Sequence, residues 1–159
     1  MDKLTLKPYV PENRPVFIEM LTDYLLNDQN EDFHHDRLSL IASRIEYELG
    51  VYDMRLYMLC SGDSEFVGFI WFQKDTPENP WCVKPGWGFI REMYIRHSLR
   101  GQGLGEAAAR EAVEILKSLG ADKIYLTAES QKSRVFWQRL GFQDSGEVCD
   151  KNGLEVFTL

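Results

Sequence analysis

Apolar and polar residues alternate in "LTLKPYV" near the start of the chain, which predicts a first strand. In "PENRPVFIEMLTDYLLND" the period changes: Phe17, Met20, Leu21, Tyr24 and Leu25 recur at helical spacing, and Pro15 suits a helix start. A second helix is predicted in "DRLSLIASRIEYELG", with Leu38, Ile41, Ile45 and Leu49 on one face and Gly50 closing it. "RLYMLCSGDSEFVGFIWFQ" reads as two strands joined by a turn around Ser61–Ser64. "KDTPENPWCVKPG" holds three prolines and few periodic apolar positions, so it is a loop, and a long one for a hairpin connection.

"WGFIREMYI" predicts another strand. "GEAAAREAVEILKSLG" is the best helix in the chain, with Leu104, Ala108, Ala112, Ile115, Leu116 and Leu119 as its buried stripe and Gly120 as its stop. A strand in "DKIYLTA", a short helix in "SRVFWQRLG" and a last strand in "LEVFTL" complete the pattern. The order β-α-α-β-β-β-α-β-α-β is mixed α/β, and the unit between residues 87 and 128 requires its two strands to pair in parallel.

Composition changes this picture little. The 159 residues fit one domain with one sizeable core, and 44% hydrophobic residues are globular rather than disordered usage. A net charge of −7 argues against nucleic acid as a partner and is compatible with either solubility or a cationic substrate. No apolar run approaches the roughly 18 residues of a membrane span, and "MDKLTLKPYV" lacks a secretory pattern. Cys60, Cys82 and Cys149 are too few and too scattered for a disulfide framework or a zinc site, so a cytoplasmic location is expected. "FHHD" (Phe33–Asp36) offers no convincing metal site, because adjacent histidines do not share a helix face. No metal is expected.

The stretch with the most chemistry is "IRHSLRGQGLGEAAAREAVEIL". A helix leaves its first four N–H groups without internal partners and carries partial positive charge there. Alternating glycines before such a helix let successive amides turn towards one anion. Neither the P-loop pattern nor G-x-G-x-x-G fits, since Glu106 stands where the third glycine would be. What fits is R-x-x-G-x-G, met by Arg100, Gly103 and Gly105 between a strand and an amphipathic helix.

"LRGQGLG" resembles the pyrophosphate-binding motif of the GNAT acyl-CoA N-acyltransferases, and "SRVFWQRLGF" is similar to that family's A-x-x-F-Y-x-x-L-G-F helix. The two motifs cover about residues 87 to 142. The resemblance implies a single GNAT domain over 1–159. Its fold would be α/β, a mixed and mostly antiparallel sheet around a central parallel β-α-β unit, flanked by about four helices. It implies acetyl-CoA as cosubstrate, with the amides of Gly101, Gln102, Gly103, Leu104 and Gly105 on the pyrophosphate and Arg100 contacting it or supporting the loop. The backbone of Met93, Tyr94 and Ile95 would pair with the pantetheine arm, beside a splayed gap facing "KIYLTA".

Acetyl transfer to an amine needs a group that takes the ammonium proton. Glu92 is the candidate base; strand alternation predicts it on the same face as Ile90 and Tyr94. A backbone N–H near Tyr94 would be the oxyanion donor. The sequence departs from the family where Trp137 replaces the tyrosine that often protonates the leaving thiolate, and where Ser133 and Ser130 replace the usual alanine and asparagine. Indole N–H cannot deliver a proton at neutral pH, but a Trp137 N–H aimed at the sulfur would still help modestly, with Tyr94 and Tyr125 as substitutes; Ser130 and Ser133 are expected among the cosubstrate-binding residues.

Trp71, Trp81 and Trp87 bracket the proline-rich loop and fit either an acceptor pocket or packing. Acidic residues in the N-terminal half (Asp23, Asp28, Glu31, Asp32, Asp36, Glu46, Glu48) point to a small cationic amine, with a peptide or protein amine as alternative. A second function is a binding module that keeps the cosubstrate site without chemistry. The edge-like "LEVFTL" makes a homodimer an expectation.

Overall fold

The computed structural model describes residues 3–28, 35–62 and 65–159, with the side chains of residues 35 and 36 also outside the described set. The first strand, β1 (Leu4–Pro8), leads through a short 3-10 turn into α1 (Arg14–Asp23), which runs on as one π turn over Tyr24–Asp28. Helix α2 (His35–Val51) precedes the antiparallel strands β2 (Met54–Ser61), β3 (Phe66–Lys74) and β4 (Gly88–Ile95). Then come α3 (Leu104–Ser118), β5 (Ile124–Ala128), α4 (Gln131–Arg139), β6 (Gln143–Val148) and β7 (Glu155–Thr158).

Seven strands form one sheet in the order β1-β2-β3-β4-β5-β7-β6. Every pairing is antiparallel except β4 with β5, as the β-α-β unit requires. Alternation along the central strands sends side chains to two cores. Ile70, Phe72, Ile90 and Leu59 pack with Leu104, Ala108, Ala112 and Leu116 of α3 and with Trp137 of α4. Phe69, Met58, Leu56 and Tyr94 pack on the other face with Phe17, Met20, Leu21 and Tyr24 from the first helical segment and Leu38 and Ile45 of α2. Each buried Leu, Ile, Phe or Met among them contributes about 1.5–3 kcal/mol, so the sheet is held from both faces.

Two expectations are corrected. "LEVFTL" is not an edge: β7 lies between β5 and β6, and β6 is the edge strand on that side. The chain "QDSGEV" that makes β6 is exposed at all six positions, so it carries no apolar alternation by which to read it as a strand. Gly50 does not stop α2, which continues to Val51, whereas Gly120 at φ +93° and Gly141 at φ +99° do end their helices in the left-handed conformation. Of the predicted turn at Ser61–Ser64, Gly62 has φ +66°, and Asp63 and Ser64 lie outside the described residues. Among the described residues no helix is long and apolar enough to cross a membrane.

The long loop between β3 and β4 is tied to the sheet by one buried carboxylate. Asp75 accepts hydrogen bonds from the N–H groups of Val83 and Lys84 at 3.0 Å, from the Gln73 amide at 2.8 Å and from the Tyr125 hydroxyl. Four donors on one carboxylate satisfy its lone pairs, which is what allows a charge to be buried there.

Strands β3 and β4 approach each other most closely at Gly68. A β-carbon there would stand 2.0 Å from the carbonyl oxygen of Tyr94, backbone that cannot swing aside. Gly68→Ala is therefore expected to lower stability by about 1–3 kcal/mol in urea unfolding, the usual range for overpacking; unchanged stability would contradict the close approach.

Candidate active site

The central strands part company early. β4 pairs with β5 only at Gly88↔Ile124 and Phe89↔Tyr125, so from Ile90 onward its backbone has β3 on one side and no strand on the other. A gap opens there, on the side of β4 that the family resemblance implies. Gly105 at the start of α3 closes its inner end: a β-carbon there would touch Met93 Cε at 3.4 Å and Phe136 of α4 at 3.5 Å. Three elements thus converge where β4 leaves β5.

The glycine loop opens α3 beside this gap. Gly101 has φ +80° and Gly103, the helix N-cap, has φ +83°, conformations that side-chain-bearing residues rarely adopt. Nothing lies within 4 Å of where their β-carbons would be, so the need for glycine here is conformational and the space in front of the loop is open. The helix's backbone bonding starts with Ala107 N–H to Gly103 C=O. Among the described residues, the N–H groups of Gly101, Gln102 and Gly103 donate to no backbone carbonyl. The Leu104 side chain is buried in the α3 core, which leaves only its backbone facing the loop. Met93 and Ile95 likewise turn their side chains into that core.

Arg100 supports the loop and is not directed at an anion in front of it. Its Nε donates to Ile95 C=O at 2.8 Å, and its two Nη atoms fork onto Asp28 at 2.9 and 2.8 Å. That bidentate pair fastens the π turn at the end of α1 to the loop entrance.

On the other face of β4 the expected alternation fails at one point. Trp71 stands opposite Glu92 and Phe72 opposite Ile90, so Arg91 is an extra residue, a β-bulge. Ile90 therefore packs towards α3, while Arg91, Glu92 and Tyr94 all turn towards α1 and α2. Glu92 shares a face with Tyr94 but not with Ile90. Its carboxylate accepts a hydrogen bond from the buried Tyr24 hydroxyl, whose pKa is pushed up by burial first and then by Glu92 itself. The Tyr94 hydroxyl donates to Asp23, which also takes the Asn27 amide and lies 3.3 Å from His97 Nε2. Desolvation pushes the Asp23 carboxyl up, but the bonds from Tyr94 and Asn27 and the charges of His97 and Arg100 outweigh it, and its pKa falls below the ordinary value.

Residues 18–142 match the model of the acetyltransferase (GNAT) family. The chain belongs to the GNAT family. Solved structures similar to it include an acetyltransferase from Thermus thermophilus, with a TM-score of 0.76 at 18% identity over 100% of this chain and 99% of that one. Another is the PaiA N-acetyltransferase from Thermoplasma acidophilum, solved in complex with coenzyme A, with a TM-score of 0.70 at 15% identity over 98% of each chain. At these identities the likeness shows the fold. A glucosamine 6-phosphate N-acetyltransferase of Trypanosoma brucei brucei is 39% identical over 56 residues, a stretch that spans 35% of this chain and 37% of that relative.

The second GNAT motif builds α4. Ser130 is its N-cap, with Oγ accepting from Ser133 N–H at 3.1 Å, so both serines are engaged in starting the helix. Trp137 is buried, its ring edge-on to Phe136 and Phe142. The two tyrosines that might replace a missing acid are both committed: Tyr94 to Asp23 and Tyr125 to Asp75, each pKa raised by burial first and then by its carboxylate partner.

The acidic residues read as attracting a cation are largely spent within the fold. Asp28 holds Arg100, Glu46 holds Arg14 and the Tyr9 hydroxyl, and Glu48 holds Arg44. Glu31, Asp32 and most of "FHHD" lie outside the described residues, as does the Asp36 side chain. Trp71 and Trp81 come together around Arg91, whose guanidinium carbon is 3.9 and 5.2 Å from their ring centres. Trp87 instead packs edge-on to Tyr125. Sequence reasoning missed Arg91 because the bulge is invisible to alternation, and missed the polar role of Tyr24, although a tyrosine in an apolar stripe needs a hydroxyl partner.

Asp23 sets a pH limit on this corner of the molecule. A carboxyl whose folded pKa is depressed stabilises fully above its unfolded pKa, about 4, and loses that contribution as pH falls through the folded value. Asp23→Asn is expected to be less stable than the parent in urea at pH 7, with the gap closing below about pH 4. A gap that stays constant down to pH 2 would show that Asp23 is not the titrating group.

Proposed function

We propose that the protein transfers the acetyl group of acetyl-CoA to a primary amine. The observation that supports this most is the coincidence of three features: the gap where β4 leaves β5, the open glycine loop at the head of α3, and Glu92 on the strand that borders both. The residues present fit the cosubstrate. Gly101 and Gly103 stand at a helix N-terminus in the left-handed conformation, with N–H groups that donate to no backbone carbonyl among the described residues, which suits a pyrophosphate, and the unpaired edge of β4 suits an amide-bearing arm laid along it as an added strand.

Bound there, the cosubstrate supplies an acyl thioester. Glu92 takes the proton of the incoming ammonium, directly or through water, and the Tyr24 hydroxyl holds its carboxylate in place. A backbone N–H of β4 near Tyr94 meets the charge developing on the carbonyl oxygen. As the new C–N bond forms, the C–S bond breaks and the thiolate departs. No side chain need protonate it: a thiol of pKa about 8.5 leaves acceptably as thiolate, so Trp137 in the core is compatible with turnover. Arg100 acts at one remove, holding the loop entrance to Asp28 and Ile95.

The acceptor half of the reading is a small primary amine. Two of the named relatives are N-acetyltransferases by their descriptions, which fits an amine without fixing which one. The protein belongs in the cytoplasm on this reading, where acetyl-CoA is made available, and a homodimer would use a surface other than β7.

Purified protein with acetyl-CoA and a panel of primary amines is expected to release free CoA. Glu92→Gln is expected to lower kcat by about 10²-fold while CoA still binds, the usual loss for a general base. Gly103→Ala is expected to weaken CoA binding through the strained φ, by about tenfold. CoA binding with no release across the panel would instead favour a silent binding module, and no CoA binding would remove the whole reading.

A further inference from the structure

The β-bulge does more than turn Glu92. It places a guanidinium next to it on the same face, and that guanidinium is held with unusual care. Arg91 Nη1 donates to Gln73 Oε1 at 3.1 Å, and the amide of Gln73 is fixed because its nitrogen donates to Asp75 at 2.8 Å. Both Gln73 and Asp75 are essentially without solvent exposure. Trp71 and Trp81 supply ring contacts at 3.9 and 5.2 Å. A half-buried cation is therefore preorganised on a rigid strand by a chain of satisfied hydrogen bonds.

Among the described residues no carboxylate lies within ion-pair distance of it, while Arg14, Arg44, Arg55, Arg96, Arg100, Arg110 and Arg134 all have carboxylate partners within 4.0 Å. Glu48, Glu92 and Asp75 act on it only from longer range, and burial pulls its pKa down to about 10. The remaining contact, Nη1 to Met54 Sδ at 3.9 Å, is weak. Burying a charge without a partner is costly, and most of the five N–H donors of this guanidinium are unspent. Beside it the indole N–H of Trp71 is buried with no hydrogen-bond partner. Asn79 Nδ2, on the loop that carries Trp81, is a second buried donor without one. Among the described residues, the Arg91 guanidinium, the Trp71 indole and the Asn79 amide thus each keep a donor without a protein acceptor.

We propose that Arg91, with the Trp71 indole N–H, forms an anion-binding subsite for the acceptor, so that the acceptor carries a carboxylate or phosphate a few bonds from the amine that Glu92 deprotonates. The inference rests on the acetyl-transfer reading above for the position of the amine. It replaces a purely cationic acceptor by one that carries both charges. Arg91 and Glu92 are consecutive residues turned to the same face of β4, so a ligand that meets both must carry its anion and its amine on one small framework.

Matched amines test it: O-phosphoethanolamine against ethanolamine, and alanine against alaninamide. Each is titrated calorimetrically into the protein with CoA bound, where no reaction occurs, and each is assayed for CoA release from acetyl-CoA. The anionic member of at least one pair is expected to bind tenfold or more tightly, and the pair that responds distinguishes phosphate from carboxylate. Arg91→Gln is expected to abolish that preference through KM for the anionic member. Arg91→Lys should keep part of it, and Trp71→Phe, which retains a ring but loses the N–H, should reduce it. CoA affinity serves as the folding control for all three. Neutral members bound as well as anionic ones, binding of neither, or a preference that survives Arg91→Gln would each overturn the subsite. Anion preference in binding without any CoA release would leave the subsite standing and overturn the transfer reading.

Discussion

A strand that pairs on one side with β3 and is released on the other from β5 has to solve two problems at once, and β4 solves both within eight residues. Its first two residues hold the parallel pair, which anchors α3 across the sheet. The extra residue at Arg91 then shifts the pleat by one, so that Ile90 and Met93 face α3 while Arg91, Glu92 and Tyr94 face α1 and α2. Without that shift a regular strand would send Glu92 into the apolar core beside α3, where a carboxylate would have no partner. The bulge is thus the constraint from which both the functional face and the buried face follow.

The polar groups on that face are arranged in two tethers that run in different directions. One joins the end of α1 to the glycine loop: Tyr94 and His97 to Asp23, Arg100 to Asp28. The other joins the proline-rich loop to the sheet, through Asp75 to Gln73 and on to Arg91. Tyr24 and Glu92 sit between them. The glycine loop and the proline-rich loop are therefore connected through side chains hydrogen-bonded to one another, and the donors left without a protein acceptor, in Arg91 and Trp71, stand out against that background.

How much of this was legible in the sequence depends on which physical signal each element carries. Helix α3 was readable because one strong period places Leu104, Ala108, Ala112 and Leu116 on one stripe, and its glycine loop because positive φ at Gly101 and Gly103 has few other solutions. The parallel pair followed from connectivity alone. Strand β6 was not readable: its partner supplies backbone bonds, and the single apolar side chain of "QDSGEV", Val148, is exposed and shows no alternation. The bulge was not readable either, because a single inserted residue leaves local composition unchanged and alters only the phase. Arg100 was legible only as two alternatives, a contact to the pyrophosphate or support of the loop, because the carboxylate it holds, Asp28, lies 72 positions away.

Trp137 shows why a motif's chemistry cannot be transferred by position. An acid at that point would have to reach from α4 into the gap, yet the indole is wedged between Phe136 and Phe142 in the same core that holds α3 against the sheet. Replacing a tyrosine by tryptophan enlarges the apolar surface buried there and removes the hydroxyl that would otherwise need a partner. Tyr94 and Tyr125 do not step in, since each already donates to a carboxylate and their acidity falls accordingly. Proton delivery is the one part of acyl transfer from a thioester that can be omitted, because the thiolate is a tolerable leaving group where an alkoxide would not be. On the proposed reading Glu92 and the backbone donors of β4 suffice for transfer from a thioester, and the dispensable acid position is part of the core.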